Sequence, residues 1–486
     1  MVPGVVTRRA WSWATACVVW LACAQGWSQG KAGPSPTDGG DGGYVGAEAG
    51  FGQVGEDFFF TVSLGFGLRL PVPKLLCEGG GEGCRTPLAL GLQIPLRLRA
   101  VDRIPEDEGT LRREDWDEPA DYLRVVRFLE YGVPSDPLHV RLGELSGVVL
   151  GHGTVMNRYF NVVNIDHFQL GVHADVNLEL GGGELVLDHV LDPQVVAGRL
   201  YIRPGAAVAP GSWLARYVVG GSVAMDLAAP KAFERVNVLE DEDTPYKVDA
   251  NRNLVPSDAE VTGVVGIDQE IFLVEDETVD FIPFLDLNFH LDGSPGTHLG
   301  ALTALRPSDR FHLHGRMELR WLGEKYIPDY FGSIYEIERD TYFGFGGRGQ
   351  PKLVVLEGLS RGTLFGGYGE LTFDVVEILG LTLAYEDYQG PENAGVLVRV
   401  QAPALGPLHL GALYRKVGFQ DVTDAFVPRD ALLAVEARYH LLPFLFLLTQ
   451  YNQSWRVKRG NALSEDGNPY ETVRDWSVGL GAAAGF

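Results

Sequence analysis

An all-β chain, closed on itself as a single-chain antiparallel transmembrane β-barrel of about 16–20 strands, is the fold this sequence predicts. Three observations predict it. Apolar and other residues alternate in segment after segment from Tyr44 to the last residue, Phe486. The very long connections between those segments fall on one end of the strands, and the connections at the other end are short. The large aromatic residues gather near the strand ends on the apolar face. A composition with Gly 62, aromatic 10% and Met 4 suits many strands and tight turns better than helical bundles.

The chain begins with Arg8 and Arg9, an apolar run from Ala10 to Ala24, and the small residues Ala22-Cys23-Ala24. This is the layout of a secretory signal peptide over 1–24, too short for a stable span. A lipoprotein signal that acylates Cys23 is the competing reading, and Trp20 three residues before the Cys fits it poorly. Residues 25–43 read as a linker, since Lys31 to Gly43 is Gly, Pro, Ser and Asp without core-forming side chains. The barrel is expected over 44–486. Cys77 and Cys84 flank a glycine-rich loop, and in an oxidising compartment they are expected to form a disulfide contributing roughly 2–3 kcal/mol. No later run reaches the roughly 18 apolar residues of a spanning helix, and Pro443 breaks the longest, Leu441 to Leu448. A formal charge of −24 argues against nucleic-acid binding, which needs a basic face.

Twenty candidate strands follow in order, near 44–53, 58–70, 88–101, 121–131, 138–150, 166–180, 184–191, 196–204, 213–228, 260–274, 278–291, 297–305, 310–323, 362–376, 381–388, 394–402, 407–418, 430–441, 444–458 and 473–486. In 310–323, Phe311, Leu313, Met317, Leu319 and Trp321 share one face, and His312, His314, Arg316, Glu318 and Arg320 share the other. Successive strand side chains point to opposite faces, so one face meets lipid and the other the lumen. With the last residue at the inner side, the outer connections include 102–120, 151–165, 229–259 and 324–361. Trp321, Tyr414, Trp455 and Trp476 then ring the outer interface, and Trp213, Phe281, Tyr439 and Phe486 the inner one.

The final segment carries Trp476, Val478, Leu480, Ala482, Ala484 and Phe486 on one face, with Asp475, Ser477, Gly479, Gly481, Ala483 and Gly485 between. It resembles the closing strand of bacterial outer-membrane β-barrels of the porin-like kind. The resemblance implies that Trp476, Val478, Leu480 and Phe486 form the membrane-insertion signal read by the barrel-assembly machinery. It also implies residence in the outer membrane, among its lipid and lipopolysaccharide.

Facing the lumen, the alternation places the pore-lining candidates Arg97, Arg99, His173, Arg199, Arg203, Asp268, Glu270, Asp286, His312, His314, Arg316, Glu318, Arg320, Arg399, Glu436, Arg438 and Arg456. Charges of both signs interleave there, which suits a wet channel that selects solutes and equally a bracing network of ion pairs. The expected function is therefore a porin-like channel for small polar or charged solutes. The alternative is a barrel that anchors or assembles an envelope machine, with the aromatic loop 324–361 and the N-terminal linker meeting other envelope proteins. That loop, rich in Tyr and Phe, either self-packs outside, docks a partner or folds into the mouth, and 151–160 is a second candidate to turn inward.

Acidic clusters at Glu106 to Glu118 and Glu240 to Asp243 read as solvated loops. Catalytic residues, cofactors and metals are not expected. Gly344 to Gly349 imitates a dinucleotide fingerprint and Gly358 to Gly362 a nucleophile elbow, each without the strand-and-helix setting that its chemistry needs. His312 and His314 share a face without an identifiable third ligand. On this reading Leu319→Arg costs roughly 2–4 kcal/mol in the lipid, and Arg320→Leu is much milder.

Overall fold

The structure is a computed structural model. It describes residues 42–486 apart from 55–56, 77–83, 102–108, 113–114, 117–120, 135, 163–168, 236–245, 248–253, 292, 377, 428–429 and 458–469. Residues with alternating apolar and polar side chains pair as twenty antiparallel strands in sequence order. They are β1 (Gly42–Val54), β2 (Asp57–Pro73), β3 (Arg85–Val101), β4 (Val126–Tyr131), β5 (Leu138–Gly143), β6 (Gly171–Leu178), β7 (Gly181–Leu187), β8 (Val195–Ile202), β9 (Tyr217–Phe233) and β10 (Pro256–Ile271), followed by β11 (Val279–His290), β12 (Pro295–Ser308), β13 (Phe311–Leu322), β14 (Leu364–Val375), β15 (Leu379–Tyr388), β16 (Ala394–Leu405), β17 (Leu408–Phe419), β18 (Ala431–Leu442), β19 (Leu445–Val457) and β20 (Tyr470–Gly485). A short piece, Val274–Glu275, extends β10 along β11.

Every strand pairs with its sequence neighbours, and the ring closes because β20 also pairs with β1. Their register runs from Tyr44 opposite Gly485 to Gln53 opposite Trp476. Gly43 and Phe486 then exchange backbone hydrogen bonds of 2.9 and 2.8 Å. Closure removes the open edges that hydrocarbon would penalise by several kcal/mol for each unpaired group. The walls show the predicted faces. Leu319 is 48% exposed and Trp321 39%, whereas Arg316, Glu318 and Arg320 between them are buried. Trp213, Phe281, Tyr439 and Phe486 are exposed at the end that carries both termini of the barrel. At the seam, Trp476 packs edge-on to Phe51 and Phe58 and donates to Gln53.

Several sequence expectations are corrected at the strand ends. Asp121–Val125 is a 3₁₀ turn, so the wall strand there begins only at Val126. The strand expected over 138–150 leaves the wall after Gly143, which takes a φ of +131°, and its continuation turns into the lumen. Leu170, within the strand expected over 166–180, precedes β6 and is buried inside. Trp455, expected in the outer aromatic ring, is 4% exposed because it lies under Phe343 and donates from Nε1 to the Thr341 carbonyl at 3.0 Å. Asp115, expected in a solvated acidic loop, is buried and bound by Arg97, Arg112 and Arg124, each at 2.7 Å. The second acidic cluster, Glu240 to Asp243, lies outside the described residues. Cys84 is disulfide-bonded, and Cys77, its expected partner, lies outside them too.

Candidate functional site

Two connections fold into the barrel and meet there. One is the segment between β5 and β6, whose Ser146–Val148 and Tyr159–Phe160 pair as a two-stranded ribbon. The other is the connection 324–361 between β13 and β14, which contains the short helices Tyr335–Glu338 and Lys352–Gly358. They join through the backbone, Asn157 N–H donating to the Phe331 carbonyl at 3.0 Å and Phe331 N–H to the Val155 carbonyl at 3.4 Å. The turn between needs glycine: Gly153 has φ +80°, and a Cβ there would sit 2.5 Å from Arg316 Nη1. Of the readings open for 324–361 and 151–160, the structure shows the inward one for both.

The aromatic residues of the long loop supply the plug's core. Tyr330, Phe331, Ile334 and Tyr335 pack with Val155, Met156 and Tyr159 from the other segment. Wall residues complete the cluster, among them Val195, Ala224, Val264, Leu397 and Leu413. Each is an inward position filled by an apolar side chain. Burying such clusters contributes about 25 cal/mol per Å² of apolar area removed from water, so the plug is held as a core is held.

Charges then fix its orientation. His152 bridges two wall carboxylates, with Nδ1 2.8 Å from Asp286 and Nε2 3.1 Å from Glu270, and its ring stacks on Phe284. Burial alone would lower the imidazole pKa, but the two carboxylates outweigh it and raise it to about 10. Arg158 pairs with Glu370, and Tyr159 donates to Glu336. Arg339 reaches Asp226 at 3.2 Å and the Gln194 amide at 2.6 Å, and Tyr335 donates to Asp226 at 2.8 Å. Lys352 binds Glu338 at 2.6 Å among the rings of Tyr330, Tyr335 and Tyr342. Arg320 donates to Glu318 and to Tyr388, each at 2.7 Å, and meets Asp329 at 3.2 Å.

The opposite wall is different. Across β18, β19, β20, β1, β2 and β3 the interior borders a space of about 990 Å³, including the part open to solvent. Glu48, Ser63, Glu436, Gln450, Asn452 and Ser477 face it, together with Gly50, Gly52 and Gly479. Inward glycines on β1 and β20 keep the seam thin: a Cβ on Gly50 would stand 2.9 Å from the Val478 carbonyl. Three side chains form a ladder across neighbouring strands, Ser477 donating to Gln450 and Gln450 to Glu436, each at 3.1 Å.

The seventeen pore-lining candidates fall on both sides and beyond them. Arg97 and Glu436 border the open space. Asp286, Glu270, Arg316 and Arg320 reach the plug, Glu318 braces Arg316 and Arg320 on the wall, and Asp268 pairs with Arg199 at 2.5 Å. Arg399 and Arg438 are buried on the inner face; His173, His312 and His314 are half-buried there; and Arg99 pairs with Asp57 at 3.2 Å. Arg203 lies beyond the end of β8 and caps the Leu178 carbonyl. The side chain of Arg456 lies outside the described residues. Sequence reasoning passed over Glu48, Ser63, Gln450, Asn452 and Ser477. A search for inward positions flanked by inward glycines would have found them. The glycine run 344–349 lies within the plug loop, and Ser360 follows a helix rather than a strand.

A closed, even-stranded antiparallel ring with an apolar outer band and a polar interior is an outer-membrane β-barrel. No protein-family model and no curated protein matches the chain. Among solved structures it is similar to the outer membrane protein OpdK of Pseudomonas aeruginosa, at 9% identity over 92% of this chain and 99% of that one, with a TM-score of 0.33. OccAB4 of Acinetobacter baumannii has 10% identity, 93% and 100% coverage and a TM-score of 0.32. The siderophore receptor PirA of A. baumannii has 9% identity, 91% and 80% coverage and a TM-score of 0.36. The class rests on the closed wall and its two faces rather than on these likenesses.

Proposed function

We propose that the barrel is a selective channel for small polar or charged solutes, with its passage between the plug and the wall of β18 to β3. The observation that supports this is the glycine-thinned space on that wall, about 990 Å³ with open solvent included, which Glu48, Glu436 and Gln450 border. Barrels of this size usually keep room inside, and here one side of that room is packed as a protein core. Transport would thus depend on the chemistry of one wall instead of on the full bore. Purified protein in a planar lipid bilayer tests the reading, and stable single-channel steps are the expected result.

The second reading, a barrel that anchors an envelope assembly, draws support from the apolar core of the plug, which suits a closed lumen. A barrel without conductance that co-purifies with envelope proteins would favour it.

A further inference from the structure

The passage wall carries charges of both signs, and they offset one another. Arg127 and Arg438 stand beside Glu48 and Glu436, with Arg438 at 3.8 Å from Glu436. Arg97 is committed to the buried Asp115 at 2.7 Å. These side chains leave little net charge to select a solute, so hydroxyls and amides carry the recognition. The polar groups near the outer end of β19 and β20 form one patch. Asn452 stands two residues from Gln450 on the same inward face, and the register sets Ser477 opposite Gln450 and Asp475 opposite Asn452. Residues two apart on a strand are separated by about 6.5 Å and directly opposed ones by about 5 Å. One small solute can touch all four.

Asn452 is 5% exposed and borders the space, and among the described residues neither its side-chain oxygen nor its nitrogen has a hydrogen-bond partner. On β18 it is paired with Ala434, whose methyl offers none. Burying an amide in that condition is costly. A solute that accepts from its N–H and donates to its oxygen removes the cost. Around it, the Gln450 amide keeps a second N–H after donating to Glu436, the Ser477 oxygen can still accept after donating to Gln450, and the Asp475 carboxylate accepts. Donors and acceptors thus alternate within the patch. A hydroxyl does both, whereas an ammonium only donates and a carboxylate only accepts.

We propose that Asn452, Gln450, Ser477 and Asp475 form a subsite for a neutral polyhydroxylated solute, of the sugar or polyol class. This rests on the channel reading above and names its substrate class. Asn452 binds through both ends of its amide, Gln450 donates, and Ser477 and Asp475 accept from hydroxyls.

Block of the single-channel KCl current by added solutes tests it, with glucose, with triethylene glycol, a neutral molecule with hydroxyls only at its ends, and with ethylammonium chloride. Glucose should interrupt the wild-type current at concentrations where the other two do not, a comparison that needs no variant. Asn452→Leu, close to asparagine in shape, should weaken the glucose block about tenfold, equal to about 1.4 kcal/mol. The same variant should be no less stable in urea, since it removes an unpaired buried amide. A wild type blocked no better by glucose than by triethylene glycol or ethylammonium, or an Asn452→Leu barrel that titrates with glucose as the wild type does, overturns the subsite while the channel stands. A folded wild-type barrel that carries no current overturns the channel reading and this subsite with it.

Discussion

The interior facing the plug and the interior facing the passage are built on the same wall, yet they obey different rules. From β9 to β15 many inward positions are apolar, as at Ala224 and Val264, or charged and matched by an opposite charge on the plug, as at Asp226, Asp286 and Glu370. From β18 through β20 to β2 glycine, serine, amide and carboxylate positions border open space, among buried apolar ones such as Phe59, Phe446 and Leu448. A lumen that stays wet tolerates small polar side chains, since water satisfies them. A lumen filled by protein must pair every charge and fill every gap, because an unpaired buried charge costs several kcal/mol. The chain therefore records, position by position, which part of its interior is core and which is solvent.

Removing the plug's central aromatic should break this contrast most. Phe331 is fully buried among Tyr330, Tyr335 and Val155. Phe331→Ala should cost about 3–5 kcal/mol, the range for deleting a core aromatic. Denaturant unfolding in lipid would measure the loss, and single-channel recording should show larger, noisier steps as the lumen gains the volume that the plug held.

Substituting the wall partners of the plug comes next, and here a sequence expectation is reversed. Arg320→Leu reads as mild if Arg320 lines a wet pore. In the structure Arg320 is fully buried and holds Glu318, Asp329 and Glu386. Taking it away leaves those carboxylates without their shared counter-charge, a change that costs about 3–5 kcal/mol for a buried pair. Leu319→Arg, one residue along on the lipid face, should cost roughly 2–4 kcal/mol. Both variants should be unstable in urea titrations of the lipid-inserted barrel. An Arg320→Leu barrel as stable as the wild type would mean that the plug is not held by charge.

How much of this was legible in the sequence follows from the range of the forces involved. Strand faces are set by neighbours two residues apart, so Leu319 and Arg320 could be assigned to opposite sides without a structure. Ring closure was legible in the final strand for the same reason. The plug was not, because its contacts join residues far apart in the chain. Tyr159 and Glu336 meet only once both connections have turned inward, and alternation carries no trace of that. Trp455 and Asp115 show the same limit from the other side. Each was assigned by type, an interface Trp and a solvated Asp, and each is claimed by a distant partner. The passage wall was missed for a different reason: Gly50, Ser477 and Asn452 do not stand out by type, and only their shared inward parity marks them.

The plug's tether to β10 and β11 adds a dependence on pH. His152 has its folded pKa raised from 6.5 to about 10 by Asp286 and Glu270. A raised value means that its contribution is fully present below the ordinary imidazole pKa and is lost as pH rises through the folded one. Conductance noise, or protease access to the 144–162 segment, should thus increase as pH is taken from about 6.5 to about 10. His152→Gln should show the looser behaviour already at neutral pH and no further step across that window. A wild-type barrel with constant noise throughout would place the strength of the tether in the apolar core instead.

The smallest effect is expected on the passage wall. Gln450 joins Ser477 to Glu436, and a comparable three-residue ladder within the plug would be costly to cut. In the wet passage water can take over both hydrogen bonds, so Gln450→Ala should shift unfolding by no more than about 0.5 kcal/mol, the usual range for changes away from a core. Its effect should appear instead in single-channel conductance, since the variant widens a narrow path and frees the Glu436 carboxylate. A loss of stability comparable to that of Phe331→Ala would mean that this wall too is dry and packed, and that the two halves of the interior follow one rule after all.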